Sequence, residues 1–302
     1  MRIAITGGTG FIGRHLAAAL AGRGHQVVLV ARGLDRRDEA VRRLPGVTFL
    51  AAPVGDATAL REGFAGCTAV AHCAGINRER GDQTYARVHV HGTEHVLQAA
   101  RAAGVQRIAL VSFLRARPNC GSAYHESKWA AEELVRHSGL AYTVIKEGVT
   151  YGRGDHMLTH LSRTVRVLPL FATVGMRESP LRPVAVEDTV RVLAAAVTSD
   201  RLEGRTVAVV GPEVLTLSEV VHRVAQAIGR PVVTFPLPVA AHRVLAWLQE
   251  RVAGEPLVSL AQVRMLAEGI AEPLPQADPP PEDLRPAIRL SSEQIVRGLP
   301  DS

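Results

Sequence analysis

Only two of the 35 cationic side chains in this sequence are lysines, Lys128 and Lys146. Lys128 follows Tyr124 by one helical turn in Tyr124-His125-Glu126-Ser127-Lys128, so phenol and ammonium share a helix face. A phenol ionises near pH 10 and transfers protons poorly at neutrality. An adjacent ammonium stabilises the phenolate and brings the pKa towards the working range. The spacing therefore predicts an acid–base pair, with an ordinary i,i+4 surface pair as the plain alternative. Upstream, Ser112 ends a strand-like run, where its hydroxyl is expected to orient a substrate carbonyl or hydroxyl; Ser122 is the competing hydroxyl.

A second constellation lies at the start of the chain, in Thr6-Gly7-Gly8-Thr9-Gly10-Phe11-Ile12-Gly13. It follows a strand-like run and opens a helical one. In that context Gly7 permits a tight turn, Gly10 lets the backbone approach a pyrophosphate, and Gly13 lets helix and strand pack closely. The loop with Thr9, Phe11 and Ile12 is expected to hold a dinucleotide. The second strand ends at Arg32, about where an NAD-preferring site places an acidic ribose ligand. Arg32, Arg36 and Arg37 instead suit a 2′-phosphate, so NADP(H) is the expected cofactor and NAD(H) the alternative. The plain alternative is an Arg-rich solvated loop. Asp56 after the third strand, and Ala74 and Gly75 after the fourth, fall on the edge that faces a bound dinucleotide. Asp56 is expected to bond the adenine amino group, to cap the following helix, or both.

The remaining chemistry is thin. Cys67, Cys73 and Cys120 lack paired zinc or redox spacing, His89, His91 and His95 mix helix faces, and His156 and His160 lack the Glu of an HExxH motif, so no metal is expected. A formal charge of +6 comes from scattered arginines without interleaved aromatics, which argues against nucleic acid. No apolar run approaches a membrane span. Arg2–Thr6 runs straight into the glycines, so no leader is expected and the location is read as cytoplasmic. The partner expected is a small-molecule substrate, and nothing in the sequence bears on oligomeric state.

These groups must be carried by a parallel α/β sheet. Strand-like runs at 2–6, 26–32, 47–52, 68–74, 107–112 and 141–147 alternate with helical patterns at 11–22, 84–103, 123–138 and 186–198. This predicts a Rossmann doubly wound sheet over 1–150 with a return segment near 183–210, and a smaller, mostly helical lobe from 151–182 and 211–302. Helices are expected near 216–228, 238–252 and 259–268, and the proline-rich stretch 272–286 is an extended connector to a last short helix.

The glycine motif, Asp56, Ala74-Gly75, Ser112, Tyr124 and Lys128, in this order, resemble the extended short-chain dehydrogenase/reductase family. Val90–Leu97, Pro183–Asp188, Gly211-Pro212 and Leu215–Val220 resemble further family segments, and within the family the compact C-terminal half is more similar to the atypical branch that includes the Rossmann-type accessory subunit of complex I. The resemblance implies NAD(P)-dependent oxidoreductase, epimerase or dehydratase chemistry, with Tyr124 as acid–base group, Lys128 on the nicotinamide ribose and Ser112 orienting substrate. Two positions depart from the family: His89 stands where Asn is usual, and Lys146-Glu147-Gly148 where Arg-Pro-Gly is common. The alternative from another class is an NADP(H)-binding scaffold or redox sensor without turnover.

Overall fold

The computed structural model describes residues 1–33, 39–252 and 260–300. The first half follows the strand–helix alternation: β1 (Arg2–Thr6), α1 (Phe11–Ala21), β2 (Gln26–Ala31), α2 (Glu39–Arg42), β3 (Val47–Ala51), α3 (Ala57–Phe64), β4 (Ala69–His72), α4 (Gly92–Ala102), β5 (Arg107–Phe113), α5 (Ala123–Arg136) and β6 (Ala141–Glu147). The second half adds β7 (Thr150–Tyr151), α6 (His156–Val167), β8 (Leu170–Val174), β9 (Val184–Ala185), α7 (Val186–Thr198), β10 (Arg205–Val209), α8 (Leu217–Ala227), β11 (Val233–Leu237), α9 (Val239–Val252), α10 (Leu260–Glu268) and α11 (Ser292–Gly298).

Seven of these strands form one sheet in the order β10-β6-β5-β4-β1-β2-β3, all in parallel. This is the Rossmann doubly wound order, which reverses between β1 and β4, and the crevice at that reversal is where such sheets take ligands. Central strands of a parallel sheet are covered on both faces and read as continuous apolar runs. Accordingly Ile3, Ala4 and Ile5 of β1 and Ala69, Val70 and Ala71 of β4 are fully buried. Leu60, Phe64, Val96, Ala100, Ala131 and Val135 of the helices pack against one of these faces with Ile108 and Val144.

Two compact units emerge. The dinucleotide-type unit comprises Met1–Glu147, Thr189–Val209 and Leu274–Arg285, and the second comprises Gly148–Asp188, Val210–Pro273 and Pro286–Ser302. Residues 274–285, expected in the smaller lobe, thus pack with the sheet unit. The Asp278 N–H donates to Thr206 O at 3.0 Å and the Ala208 N–H donates to Asp278 O at 2.8 Å, which extends the β10 edge by one bridge. Arg205 and Arg201 add ion pairs to Asp278 and Asp283. The second unit is built on α6, α8–α11 and two two-stranded sheets, β11-β8 and β7-β9, and Asp188 anchors its C-terminal segment by accepting the Ala287 and Ile288 N–H groups at 2.8 and 2.9 Å.

The helix expected over 84–103 is not uniform. Ala86–His91 forms a π-helical turn before α4, in which the Gly92 N–H bonds back to Arg87 O and the Thr93 hydroxyl donates to His89 O at 2.5 Å. A side chain at Gly92 would meet Val54 Cγ2 at 2.7 Å, so the wide turn lies close against the segment after β3. Such turns interrupt α-helices where side chains must be re-aimed, frequently at functional sites.

Candidate active site

The glycine loop joins β1 to α1. Gly7 has φ +65°, and a Cβ there would lie 2.7 Å from Ala74 Cα, so the turn packs directly on the exit of β4. At Gly13 a Cβ would come within 2.3 Å of Gly7 O. Gly10 caps α1 without any side-chain bond and is exposed. Thr9, Phe11 and Ile12 beside it are partly exposed. No side chain caps the first-turn amides of α1, and the turn carries no acidic residue. Helix N-termini of this kind favour anions, and the cradle fits the pyrophosphate of a dinucleotide.

Arg32 lies just past β2 and is exposed; Arg36 and Arg37 lie outside the described residues. Asp56 caps α3, accepting the Ala59 N–H at 3.0 Å.

On α5 the pair predicted from spacing is buried: Tyr124 is 7% and Lys128 9% exposed. Lys128 Nζ donates to Val111 O at 3.2 Å, and a Cβ added to Gly75 would lie 3.0 Å from that nitrogen. The exits of β4 and β5 therefore converge on the lysine. Burial lowers its pKa, while Glu147, Cys73 and Glu132 pull it back up. The Tyr124 ring is boxed edge-on by Phe113 at 5.5 Å, Tyr85 at 5.6 Å and His89 at 5.8 Å. Its hydroxyl donates to Asn77 Oδ1 at 3.5 Å. Against expectation the phenol is pushed up, not down: burial dominates, and Tyr85 and Glu147 add to it. Desolvation sets the direction, because a buried phenolate loses its hydration. Cys73 is likewise held up, at about 12, first by burial and then by Glu147.

Ser112 is placed differently from expectation. Its hydroxyl donates to Glu132 Oε1 at 2.5 Å, and its neighbour Phe113 supplies the apolar wall against Tyr124. In the β5–β6 register Ser112 pairs with Lys146 and Phe113 with Glu147. One sheet face thus carries Ser112 and Lys146 to a buried cluster around Glu132, which takes Lys146 Nζ at 3.2 Å and Arg136 Nη2 at 2.7 Å. Ser122 is also engaged, within 2.6 Å of His125 Nδ1.

His89, the position departing from the family, is fully bonded. Its Nε2 accepts the Ile76 N–H at 3.1 Å, so the ring proton sits on Nδ1 and is donated to Ser127 Oγ at 2.9 Å. Ser127 in turn donates to Tyr124 O. The ring stacks on Tyr85 at 5.5 Å. Beneath it, Thr93 spends its proton on His89 O, so it accepts from His72 Nε2 at 3.0 Å, and His72 Nδ1 receives the Thr6 hydroxyl at 2.6 Å. Burial first, then the Lys128 charge, drives His72 to about 3 and His89 to about 2. Both are neutral imidazoles at any working pH.

Sequence reasoning passed over Asn77, Tyr85, His72, Thr93, Ser127 and Glu132. Glu132 was legible as a carboxylate one turn beyond Lys128 on the buried stripe of α5. The others show only through contacts between segments far apart in the chain. Among the described residues no group of three or more His, Cys, Asp or Glu is arranged to hold a metal, and no helix is long and apolar enough to cross a membrane.

A family model described as NAD(P)H-binding matches residues 7–160. An uncharacterised protein of Mycobacterium tuberculosis is 30% identical over 265 residues, 87% of this chain and 27% of that protein, so the chain spans about a quarter of the mycobacterial relatives it matches. Ceramide reductase of Caulobacter vibrioides is 34% identical over 195 residues, covering 64% of this chain and 60% of its own. The mitochondrial NADH dehydrogenase (ubiquinone) 1 alpha subcomplex subunit 9 of Mus musculus is 27% identical over 302 residues, covering 97% of this chain and 79% of its own. Among solved structures, the UDP-glucose 4-epimerase of Thermus thermophilus in complex with NAD aligns with a TM-score of 0.68 at 21% identity over 99% of this chain and 97% of that one.

Proposed function

The chain belongs to the NAD(P)H-binding family, in keeping with its likeness to extended short-chain dehydrogenases, and from that premise we propose that it exchanges a hydride between NADP(H) and a small carbonyl or hydroxyl substrate, with Tyr124 as proton donor and acceptor. The observation that carries this reading is the convergence of Tyr124 and Lys128 with the exits of β4 and β5, on the sheet edge that also bears the glycine loop. A reductase among the relatives supports it.

A bound nicotinamide supplies the hydride in one direction and takes it in the other. The protein's own part is proton handling and placement. Burial keeps the Tyr124 phenol protonated, which suits it to give its proton to a substrate oxygen as the carbonyl π bond is replaced by a C–H and an O–H bond. Lys128 rests on a backbone carbonyl and has further donors for the ribose hydroxyls. Arg32 stands exposed where a 2′-phosphate would be read.

A binding role without turnover is favoured by one feature: Glu147, 5% exposed, raises the Tyr124 pKa and so opposes a phenolate. One experiment separates the two. In calorimetric titrations NADPH should bind at least about tenfold tighter than NADH, roughly 1.4 kcal/mol, and Arg32→Glu should erase the difference. With a carbonyl substrate, Tyr124→Phe should lose about 10²–10⁴-fold in rate while cofactor affinity stays within a few-fold. Equal cofactor affinities refute the role of Arg32; full activity in Tyr124→Phe refutes the mechanism; and tight cofactor binding with no carbonyl reduced selects the binding role.

A further inference from the structure

Resting on the reading of Tyr124 as proton donor, we infer that Asn77 is the residue that orients the substrate's oxygen beside the phenol, in place of a strand hydroxyl. A carbonyl that takes a proton from Tyr124 needs a second polar group at the same oxygen, to fix its position and to stabilise the charge that gathers there. None of the nearby serines is placed for this. Ser112 gives its proton to Glu132 on the far side of the β5 pleat, Ser122 is bonded to His125, and Ser127 accepts from His89 and donates to Tyr124 O. The strand residue that does reach the phenol ring is Phe113, which can neither donate nor accept.

Asn77 is the polar side chain at the Tyr124 hydroxyl, with Oδ1 receiving that proton at 3.5 Å. This is the outer limit of a hydrogen bond, so the acceptor is held loosely and yields readily to a better one. Asn77 is exposed while Tyr124 is buried, so the amide is the part of this pair open to solvent and to an arriving substrate oxygen.

The backbone behind the amide is firmly tied. Tyr85 donates its hydroxyl to Asn77 O at 3.0 Å, Ile76 donates its N–H to His89 Nε2 at 3.1 Å, and the Tyr85 N–H is taken by Glu79 Oε1 at 2.7 Å. Arg80 and Gln83 close the segment by exchanging both of their backbone bonds. His89 can serve as a permanent acceptor because it stays neutral, and the π-helical turn is what swings it under the loop.

An amide carries an acceptor and two donors on one planar group. With substrate present, the phenol proton goes to the incoming carbonyl oxygen, and half a turn of the Asn77 amide aims Nδ2–H at the same oxygen. The ligand class this selects is a ketone or aldehyde, or the matching alcohol in the reverse direction.

The probe is a series of methyl ketones from acetone to 2-decanone, used in two ways: as substrates with NADPH, and as equilibrium ligands of the enzyme saturated with NADP⁺, which cannot reduce them. Asn77→Ala should weaken ketone binding to the NADP⁺ complex and raise KM by about tenfold or more, with NADP⁺ affinity unchanged, and Asn77→Ser should recover part of the loss. Asn77→Asp, which sets a carboxylate against the carbonyl, should be worse than Asn77→Ala. Asn77→Ala with ketone affinity and KM equal to those of the parent overturns the inference while leaving Tyr124 in place, the more so if Ser112→Ala is the variant that weakens them. A parent protein that neither binds nor reduces any ketone of the series overturns the inference together with the reading it rests on.

Discussion

Acidification from pH 7.5 to 5.5 should destabilise this protein through two histidines that the fold holds neutral. His72 is 1% and His89 2% exposed. The folded chain depresses their pKa values to about 3 and about 2, against about 6.5 in the unfolded chain. With a depressed folded value the unfolded state binds the extra proton, so stability is complete above pH 6.5 and drains away as the pH falls below it. At pH 5.5 each imidazole is protonated in about ten of eleven unfolded molecules and in almost no folded ones, which costs about 1.4 kcal/mol apiece and about 2.7 kcal/mol for both. The figure barely depends on the folded values, since both lie more than two units below the assay pH. Urea titrations of the full chain at the two pH values, at constant ionic strength, measure the drop. His25 and His160 are also depressed by burial and add to the total, so the diagnostic quantity is the difference between proteins: His89→Asn should shrink the drop by about 1.4 kcal/mol. Carbon-detected NMR should show the His89 ring neutral and protonated on Nδ1 throughout. A drop of the same size in His89→Asn, or a His72 or His89 imidazole that titrates between pH 5 and 7, would refute the reasoning.

The buried cluster on the other side of β5 gives a second test. Glu132→Gln leaves Lys146, 1% exposed, without its carboxylate and should cost about 3 kcal/mol or more in urea unfolding, most of it recovered by adding Lys146→Met. In the glycine loop, a valine at Gly10 sets its side chain over the uncapped amides of α1, with Gly7 O only 3.0 Å from its Cβ. Gly10→Val should abolish measurable cofactor binding in calorimetry while far-UV circular dichroism is unchanged. In the second unit, Asp188→Ala strips the acceptor from the Ala287 and Ile288 N–H groups, which should cost about 2–4 kcal/mol and raise hydrogen exchange at those two amides before the rest of the chain.

Most of the sheet was legible because its signals are local. A strand of a covered parallel sheet must be apolar over its whole length, and a turn that bears on a phosphate must be glycine, so β1 to β6 and the glycine loop can be read within one or two residues of their observed ends. The Tyr124–Lys128 pair was legible for the same reason, since helical spacing alone puts both on one face. The second unit was harder. The pairing of β8 with β11 joins segments more than sixty positions apart, and α6, although it keeps Leu158, Leu161 and Val165 on one buried face, lies in a stretch whose arginines and prolines mask the period. Likewise nothing in the proline-rich run announces that Asp278 will extend the edge of β10.

What the amino-acid sequence determined by itself is therefore the strands and helices of the first unit, the glycine loop, and the placement of Tyr124 and Lys128 on one helix face, all of which follow from periodicity and from residue types confined to a few neighbouring positions. Only the tertiary structure decided how those groups are electrically and sterically set. Whether a strand-end serine points at a substrate or at a buried carboxylate depends on pleat parity at a single residue, and here parity turns Ser112 to Glu132 and Phe113 to Tyr124. Whether a phenol is pushed up or down depends on the balance of desolvation and charge summed over β6, the π-helical turn and α5, which no spacing along the chain can express. The same holds for Asn77, an unremarkable loop residue in the sequence, which reaches the phenol only because Tyr85 and His89 hold its loop in place.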